Sequence, residues 1–505
     1  MGSLSGAALS SGIEVALPAP AQFVDGGWLG ESSDEAETIY DPATGGVLGT
    51  VAHAGPSQVE AALAAARRAA DSGRWANESP RGRSTLLYRL HAELAGMADR
   101  LLDVLVAETG CPVTLARGQQ VGLPIRHLEY WAEAARRPEL SAREPVLSAR
   151  SDGSSTLGSW VVRSEPYGVV AAITPYNFPL LENVMKIGPA LAAGNTVVLK
   201  PSPFTPYTAL LLAAAAQRAD LPPGVLNVIT GGAEVGTALT ADPRVDLVSF
   251  TGSDAVGARI LAAAAPRLTK VLLELGGKSA LIVRADADLE LAARVGAQNI
   301  STHAGQGCAL LTRHLVHRSV HDEYTGRIGS LLDRAVVGDP RDPGTAVGPL
   351  IRPAARDRVE SYVAGALSSG ARVVTGAARP EGLDRGWFYR PTVLADVDNT
   401  WPVAREEIFG PVGVVIGFDT DDEAVALAND TPYGLAGHVV SADTGRAFEI
   451  ACRLRTGSVD LNGGPGYTNP DAPFGGVKRS GLGRENGAEG FSEYTQTKTI
   501  KYGAR

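Results

Sequence analysis

Cys308 is the residue of this sequence best placed to act as a nucleophile. The 505-residue chain has three cysteines, and Cys308 alone lies in a short segment of small residues between a helical pattern and a strand-like one. Its neighbours Gly305 and Gly307 favour a loop that presents the thiol to an open site. Cys111 and Cys452 lie among apolar and helix-forming residues. Most single cysteines are buried small hydrophobic residues, and local context alone leaves that alternative open.

Three polar residues stand at the ends of apolar, strand-like runs. Asn177 and Lys200 follow two such runs, and Glu274 ends a third. An ordinary turn asparagine is the better explanation of Asn177 in isolation, and a solvated lysine explains Lys200 as well as a ribose or phosphate contact does. A carboxylate at the end of an apolar strand is costly unless it is hydrogen-bonded or functional. Partial desolvation would raise the pKa of Glu274 and make it a plausible general base.

Glycine-containing turns give weak signals for phosphate binding. The turn 231–236 opens a helix but is not a Gly-x-Gly-x-x-Gly motif. The turn 251–253 places a glycine and two hydroxyls at a helix start, where anions are favoured. The segment 274–279 resembles the end of a P-loop, but the first required glycine falls at Leu272, so that interpretation fails.

Two other catalytic classes are set aside. His314 and His317 lie in a strand-like run, where a spacing of three residues points them to opposite faces, and no HExxH motif accompanies them or His321. We therefore expect no metal. The sequence also lacks the Gly-x-Ser-x-Gly elbow of serine hydrolases.

Composition narrows the class of partner. Net charge is −9 and no long basic block occurs, which favours a small-molecule partner over nucleic acid. The longest apolar run, 209–216, is too short for a membrane span, so we expect no membrane partner. Three scattered cysteines suit a reducing compartment, and the N-terminus lacks the basic region of a secretion signal. The cytoplasm is the expected location.

The elements around these residues form two alternating series. Small strands or hairpins at a surface are expected over 13–55, helices over 56–137, and a projecting hairpin over 141–166. The first strand series is predicted at 168–173, 196–199, 226–229, 247–250 and 271–275, with helices between the strands. The second series is predicted at 310–316, 372–374, 412–416, 437–440 and 457–461. This spacing predicts two α/β domains with parallel sheets, and Cys308 near their junction.

In this order, the residues and motifs resemble the aldehyde dehydrogenase superfamily. The matching positions are Asn177, Lys200, 251–253, 274–278, 305–308, 406–411, 473–481 and 483–485. The resemblance covers nearly the whole chain, and several motifs in register are far more specific than any one of them. It implies an α/β fold with a Rossmann-like dinucleotide-binding domain, a second α/β catalytic domain and a small β oligomerisation arm. The implied boundaries are a flexible arm at 1–19, the dinucleotide-binding domain at 20–143 and 167–277, the catalytic domain at 278–480, and bridging segments at 144–166 and 481–505.

The resemblance assigns the chemistry. Cys308 corresponds to the nucleophile that attacks an aldehyde, and the Asn177 amide with the Cys308 backbone N–H would hold the oxyanion. Loss of hydride to the nicotinamide would leave a thioester on Cys308. Glu274 corresponds to the base that activates water to release the acid, and Lys186 to a lysine that assists proton movement. A coenzyme A-acylating enzyme and a non-catalytic dinucleotide-binding scaffold are the alternatives.

The implied cofactor is NAD, with NADP as an alternative. Pro203 stands where NAD-preferring members usually carry a glutamate that binds the ribose and repels a 2′-phosphate, and Tyr176 replaces the commoner tryptophan. The residues implied in cofactor binding are Ile173, Thr174, Pro175, Tyr176, Lys200, Ser202, Pro203, Gly232, Gly236, Phe250, Thr251, Gly252, Ser253, Val256, Leu275, Gly276, Glu407 and Phe409.

The helix after Asn177 is expected to line the substrate tunnel. Phe178, Glu182, Met185 and Phe474 are implied to face substrate, and the glycine-rich segment 463–468 to border the tunnel mouth. Glu182 is unusual there. We expect it either to meet a polar or cationic substrate group, or to turn to solvent or pair with a lysine. A homodimer or homotetramer is implied, whereas the aldehyde is not.

Overall fold

The computed structural model describes residues 6–8, 14–30, 35–149, 151–464, 466 and 469–503. The strands are β1 (Gly6–Ala8), β2 (Glu14–Ala16), β3 (Gln22–Val24), β4 (Gly27–Leu29), β5 (Ala36–Tyr40), β6 (Val47–Ala52), β7 (Leu140–Ala142), β8 (Val146–Ala149), β9 (Ser155–Pro166), β10 (Val169–Ile173), β11 (Thr196–Lys200), β12 (Leu226–Val228), β13 (Leu247–Thr251), β14 (Lys270–Glu274), β15 (Ser279–Val283), β16 (Leu311–His317), β17 (Arg372–Thr375), β18 (Thr392–Ala395), β19 (Val412–Phe418), β20 (Ala436–Val440), β21 (Ser458–Leu461), β22 (Gly481–Leu482) and β23 (Thr495–Gly503).

The helices lie between these strands. They are α1 (Pro56–Asp71), α2 (Pro80–Ala95), α3 (Ala98–Thr109), α4 (Val113–Leu115), α5 (Leu123–Ala134), α6 (Pro179–Ala192), α7 (Tyr207–Arg218), α8 (Ala233–Ala241), α9 (Asp254–Ala264), α10 (Leu289–Ser301), α11 (His321–Asp333), α12 (Pro353–Ser368), α13 (Pro402–Arg405), α14 (Asp421–Asn429), α15 (Thr444–Arg453) and α16 (Gly487–Glu493). Within the described ranges, no helix is long and apolar enough to cross a membrane.

The first strand series forms the centre of an eight-stranded sheet in the order β22-β14-β13-β10-β11-β12-β3-β4. The five strands from β14 to β12 are parallel. Every residue of β10, β11 and β13 is buried, because helices cover both faces of the sheet, and such strands need apolar residues at nearly every position. The predicted Rossmann-like domain is confirmed, and its strand ends point to one edge.

The second series forms a seven-stranded sheet in the order β17-β18-β19-β16-β15-β20-β21, parallel except for β17. The predicted second α/β domain is confirmed. Sequence reasoning missed β15 and β18. Strand β15 follows β14 after four residues, with no helix between them, so alternation of strand and helix does not reveal it.

The predicted projecting hairpin is present as β8 and β9. Strand β9 also pairs antiparallel with β23 over nine residue pairs and with β7. All residues of β7 and β8 are exposed, and Leu140, Leu147 and Ile500 present apolar side chains on this four-stranded sheet. This sheet therefore buries little of its own apolar surface.

The N-terminal hairpins are less superficial than expected. Strand β3 is wholly buried and pairs antiparallel with β12, so it extends the eight-stranded sheet. The Gln22 amide fixes it there by donating to the Thr230 hydroxyl at 2.8 Å. The expectation of a surface position is therefore wrong for β3. Residues 1–5 and 9–13 of the expected flexible arm lie outside the described residues, whereas Val15 and Leu17 are buried against the body.

Tyr494 ties the end of α16 to the eight-stranded sheet. Its hydroxyl lies 3.0 Å from the buried Ser249 hydroxyl, and its carbonyl accepts a hydrogen bond from Asn195 at 2.9 Å. Tyr494→Phe should lower the thermal unfolding midpoint, because loss of a buried hydrogen bond costs about 1 kcal/mol. Tyr167→Phe removes a hydroxyl that makes no hydrogen bond among the described residues and is the matched control. Equal midpoints for the two variants would contradict this interpretation of Tyr494.

Candidate active site

Cys308 lies where the edges of the two large sheets meet, on the loop between α10 and β16. The loop reverses through three consecutive left-handed residues, His303 at φ 47°, Ala304 at φ 52° and Gly305 at φ 72°. A Cβ on residue 305 would lie 2.1 Å from the Gly410 carbonyl oxygen, so only glycine fits. The non-glycine left-handed residues store backbone strain beside the thiol.

The predicted oxyanion donor lies beside this loop. The buried Asn177 side chain donates a hydrogen bond to the Gln306 carbonyl at 3.0 Å, two residues before Cys308. The Phe178 ring packs edge-on against His303, with ring centroids 5.6 Å apart. Burial lowers the pKa of His303 to about 4, so this ring is neutral at physiological pH. The structure thus brings Asn177 and Cys308 together.

Glu274 ends β14 close to the same loop and is almost completely buried. Neither carboxylate oxygen has a hydrogen-bond partner among the described residues. Burial raises the pKa of Glu274 well above its usual value, and the nearby Glu485 raises it further, whereas Lys186 and Arg484 act in the opposite direction. A Cβ on Gly475 would lie 2.5 Å from Oε1 of Glu274, which shows how tightly the carboxylate is enclosed.

Lys186 forms a wholly buried ion pair with Glu485, with 2.7 Å between Nζ and Oε1. Sequence reasoning singled out Lys186 but missed Glu485 as a site residue. The available signal was a single glutamate in the glycine-rich run 483–487, and its partner lies 299 residues away along the chain. A buried pair of this kind is destabilised strongly when one partner is removed, because the other charge stays buried.

The thiol of Cys308 is protonated in this environment. Burial raises its pKa well above the usual value, and the carboxylates of Glu182, Glu407 and Glu274 raise it further, in that order. Proton removal is therefore a necessary step before the sulfur can act as a nucleophile.

All residues predicted to bind the cofactor line one cavity of about 680 Å³ at the carboxyl ends of β10, β11, β13 and β14. We call it the sheet cavity. Asn177, Glu182 and Cys308 also line it. Other residues there that were not predicted to bind the cofactor lie mainly on α8 and α9, and they range from Ala233, inside the turn 231–236, to positions more than one turn beyond the motifs. They are Phe204, Ala233, Thr237, Thr240, Arg259, Ile260 and Ala263.

The donors and rings of the sheet cavity fit a dinucleotide. Lys200 donates to the Gly231 carbonyl at 2.8 Å, and burial lowers its pKa to about 8. Ser253 caps the start of α9, where backbone N–H groups favour a pyrophosphate. The rings of Tyr176 and Phe409 meet edge to face, with centroids 5.9 Å apart.

Glu407 also lines the sheet cavity. It accepts a hydrogen bond from the Gly277 N–H at 3.0 Å, and burial raises its pKa to about 7. A Cβ on Gly276 would lie 2.6 Å from Glu407, and one on Gly277 would lie 2.4 Å from the Cys308 carbonyl oxygen. These glycines allow the connection between β14 and β15 to approach both residues closely.

A second cavity of about 530 Å³, the helix cavity, lies on the other side of Cys308. The predicted substrate residues Phe178, Glu182, Met185 and Phe474 all line it. Gly463, Gly464 and Gly466 of the predicted tunnel mouth line it too, and residues 465, 467 and 468 lie outside the described ranges. Sequence reasoning missed the contribution of the segment before α5, of α5 and of α10, namely Gln119, Leu123, His127, Leu291, Arg294, Val295, Gln298 and Asn299.

Glu182 does not turn to solvent, so that alternative is wrong. The residue is 7% exposed. Lys186, one helical turn away, is bonded to Glu485 instead. Burial raises the pKa of Glu182 to about 7, with a further increase from Glu485 and an opposing effect of Lys186. A buried carboxyl group that titrates near neutral pH therefore lies beside the thiol.

Comparison with known proteins gives a consistent result over nearly the whole chain. A model described as the aldehyde dehydrogenase family matches residues 28–500. Geranial dehydrogenase of Castellaniella defragrans is 41% identical over 480 residues, which cover 95% of this chain and 98% of that protein. An aldehyde dehydrogenase of Mycobacterium tuberculosis, solved in complex with NAD+, is 42% identical with a TM-score of 0.90 and covers 95% of this chain and 97% of its own. A mutant of aldehyde dehydrogenase C of Pseudomonas syringae, solved in complex with NAD+ and octanal, is 39% identical with a TM-score of 0.89. The match covers 95% of this chain and 96% of that protein.

Gly305→Ala should destabilise the protein by more than about 1 kcal/mol, because alanine resists positive φ and its Cβ would strike the Gly410 carbonyl. Thermal unfolding measures this as a lower midpoint. Gly326→Ala is the matched control, because residue 326 lies on the exposed face of α11 with no atom within 4 Å of the added Cβ. The control should unfold at the same or a slightly higher temperature. A Gly305→Ala midpoint equal to that of the control would contradict the steric argument.

Proposed function

Because this chain belongs to the aldehyde dehydrogenase family, we propose that it oxidises an aldehyde to the free carboxylic acid with NAD(P)+. The observation that carries the proposal is the position of Cys308 between the sheet cavity and the helix cavity. In this assignment the sheet cavity holds the cofactor and the helix cavity holds the aldehyde. The thiol then lies where the reacting carbon must meet the hydride acceptor.

Cys308 attacks the aldehyde carbon and forms a thiohemiacetal. The Asn177 amide and the Cys308 backbone N–H stabilise the negative charge on the oxygen, and one such donor lowers the barrier by about 3 kcal/mol. Asn177 uses one N–H to hold the Gln306 carbonyl, which leaves its second N–H for the oxyanion. When bound, the nicotinamide supplies the acceptor for the hydride, and a thioester on Cys308 remains.

Glu274 activates the water that hydrolyses this thioester. Its raised pKa makes it a stronger base once it is ionised. The carboxylate lines neither cavity, so its side chain has to turn from its enclosed position toward Cys308. The buried pair of Lys186 and Glu485 then takes part in moving the proton away.

The presence of Glu274 favours hydrolysis over transfer to coenzyme A, since acylating members of the family usually lack this base. A non-catalytic scaffold is disfavoured by the joint presence of Cys308, Asn177 and Glu274 around one site. NADH formation with a panel of aldehydes that includes octanal and geranial distinguishes a catalytic dehydrogenase from a non-catalytic scaffold. Binding of NAD without turnover of any aldehyde would favour the scaffold.

Assembly, domains and location follow the same proposal. The exposed sheet of β7, β8, β9 and β23 is the proposed subunit contact of a homodimer or homotetramer, because its apolar residues are otherwise uncovered. The domain boundaries given by the resemblance are retained as part of the proposal. Cys111, Cys308 and Cys452 are unpaired, which is compatible with a reducing compartment, and the cytoplasm is the proposed location.

Cys308→Ala should abolish NADH formation, because no nucleophile remains. Glu274→Gln should still form the thioester but release it slowly. Intact-protein mass spectrometry after mixing with aldehyde and NAD+ should then show Glu274→Gln heavier by the acyl group, and Cys308→Ala unmodified. Rapid acid release by Glu274→Gln would contradict the role of Glu274, and persistent turnover by Cys308→Ala would contradict the function.

Pro203→Glu should shift cofactor preference toward NAD. Residue 203 lines the sheet cavity together with Lys200 and Ser202. A carboxylate there would accept hydrogen bonds from a ribose and repel a 2′-phosphate. The ratio of kcat/KM for NADP to that for NAD should fall at least about ten-fold, which corresponds to about 1.4 kcal/mol. Pro203→Gln, of similar size and without charge, is the control, and an equal change in both variants would contradict the electrostatic argument.

A further inference from the structure

Glu182 and Cys308 are the two described residues that line both the sheet cavity and the helix cavity. Glu274, the proposed base for hydrolysis, lines neither. Resting on the proposed function, we infer that Glu182 is a further catalytic residue, which accepts the proton of the Cys308 thiol and so generates the nucleophile. The two chemical tasks, thiol activation and water activation, then belong to two different carboxylates.

The placement of Glu182 suits this task. It lies in the first turn of α6, five residues after Asn177, and its side chain is more than nine-tenths buried. Its Oε2 has no hydrogen-bond partner among the described residues. A buried carboxylate oxygen without a partner is costly, so a donor from the cavity is expected to satisfy it. The Thr251 hydroxyl lies near this carboxylate, and the Cys308 thiol lines both cavities with it. No direct hydrogen bond joins Glu182 and Cys308 among the described residues, so the proposed proton transfer requires a side-chain rotation or one bridging water.

Burial and the neighbouring charges bring the pKa of Glu182 close to neutral pH. Burial, followed by Glu485, raises its pKa to about 7, while Lys186 and the nearby Thr251 hydroxyl oppose that increase. Glu274 belongs to the same cluster, because Glu182 raises its pKa as well. A base is most effective when its pKa lies near the working pH.

Glu182 and Cys308 form one coupled acid pair. Among charged groups, Glu182 has the largest effect on the pKa of the thiol, ahead of Glu407 and Glu274. A proton shared by two interacting groups is lost in steps that belong to the pair and not to either residue. Above the first step, the pair holds one proton, either on sulfur or on the carboxylate.

The transfer balances without any further reactant. The S–H bond of Cys308 breaks, an O–H bond forms on Glu182, and the negative charge moves from the carboxylate to sulfur. The sulfur electron pair then forms the C–S bond of the thiohemiacetal. The proton on Glu182 later passes to water in the cavity, and the carboxylate is restored for the next turnover.

The test is the pH dependence of Cys308 alkylation by iodoacetamide in the full-length protein, followed by quantitative peptide mass spectrometry. Peptide mapping is needed because Cys452 is exposed and also reacts. The wild-type rate should rise in a step near pH 7, when Glu182 ionises, and again at higher pH. Glu182→Gln should lose the first step and react at least about ten-fold more slowly at pH 7.5. Glu274→Gln, the matched control, should keep that step.

A purely electrostatic role of Glu182 predicts the opposite sign. Removal of its negative charge would then lower the pKa of Cys308, and Glu182→Gln would react faster than wild type at pH 7.5. That result, a wild-type profile without a step near pH 7, or the same step in Glu182→Gln overturns the inference. Glu182→Asp keeps a carboxylate and should retain the step, and the thermal midpoints of both variants show whether they fold.

This experiment needs neither aldehyde nor cofactor. Failure of the wild type to oxidise any aldehyde would contradict the proposed function, while the alkylation profile would still decide the role of Glu182. The earlier alternative, a contact of Glu182 with a polar substrate group, predicts altered relative kcat/KM for polar and apolar aldehydes with an unchanged alkylation profile. That combination would also overturn the inference.

Discussion

The buried ion pair between Lys186 and Glu485 is the interaction on which the site depends. Lys186 lowers the pKa of Glu182 and of Glu274, whereas Glu485 raises the pKa of both. Removing charges from water is costly, and several buried carboxylates here share one buried lysine, with Arg484 assisting at Glu274 alone. The cluster therefore holds more negative charge than it can neutralise. That excess keeps protons on carboxyl groups near neutral pH, which is the condition for exchanging them during a reaction.

Close backbone approach is the second requirement, because the site lies between two sheets and not within one. Gly276 and Gly277 let the connection from β14 to β15 reach Glu407 and the Cys308 carbonyl. Gly305 lets the loop before the thiol pass the Gly410 carbonyl. A single added Cβ at any of these glycines would prevent the close approach. The glycines therefore position the chemistry as firmly as the hydrogen bonds do.

Features that depend on neighbouring residues could be predicted from the sequence, whereas contacts between residues far apart in the chain could not. Strands buried on both faces appear as apolar runs, and Cys308 and Glu274 stand out as chemical exceptions within their local patterns. The role of Glu485 was missed because its partner Lys186 lies 299 residues away and no local pattern connects them. The tunnel residues of α5 and α10 were missed because the sequence of a helix does not show which of its faces lines a cavity. That depends on the elements that pack around the helix. The enclosed orientation of Glu274 depends on contact with Gly475, which is equally remote in sequence.

The ion pair also has a consequence for biosynthesis. Lys186 leaves the ribosome long before Glu485, and Tyr494, which holds α16 against the sheet, comes later still. A nascent chain that already contains α6 would have to bury its lysine without a counter-charge, which is strongly unfavourable. The centre of the first sheet can therefore form during synthesis, but its catalytic edge cannot be completed until Glu485 and Tyr494 have been made. A nascent chain that extends past Cys308 but not yet to Glu485 would thus carry the thiol without the ion pair that sets the charges around it.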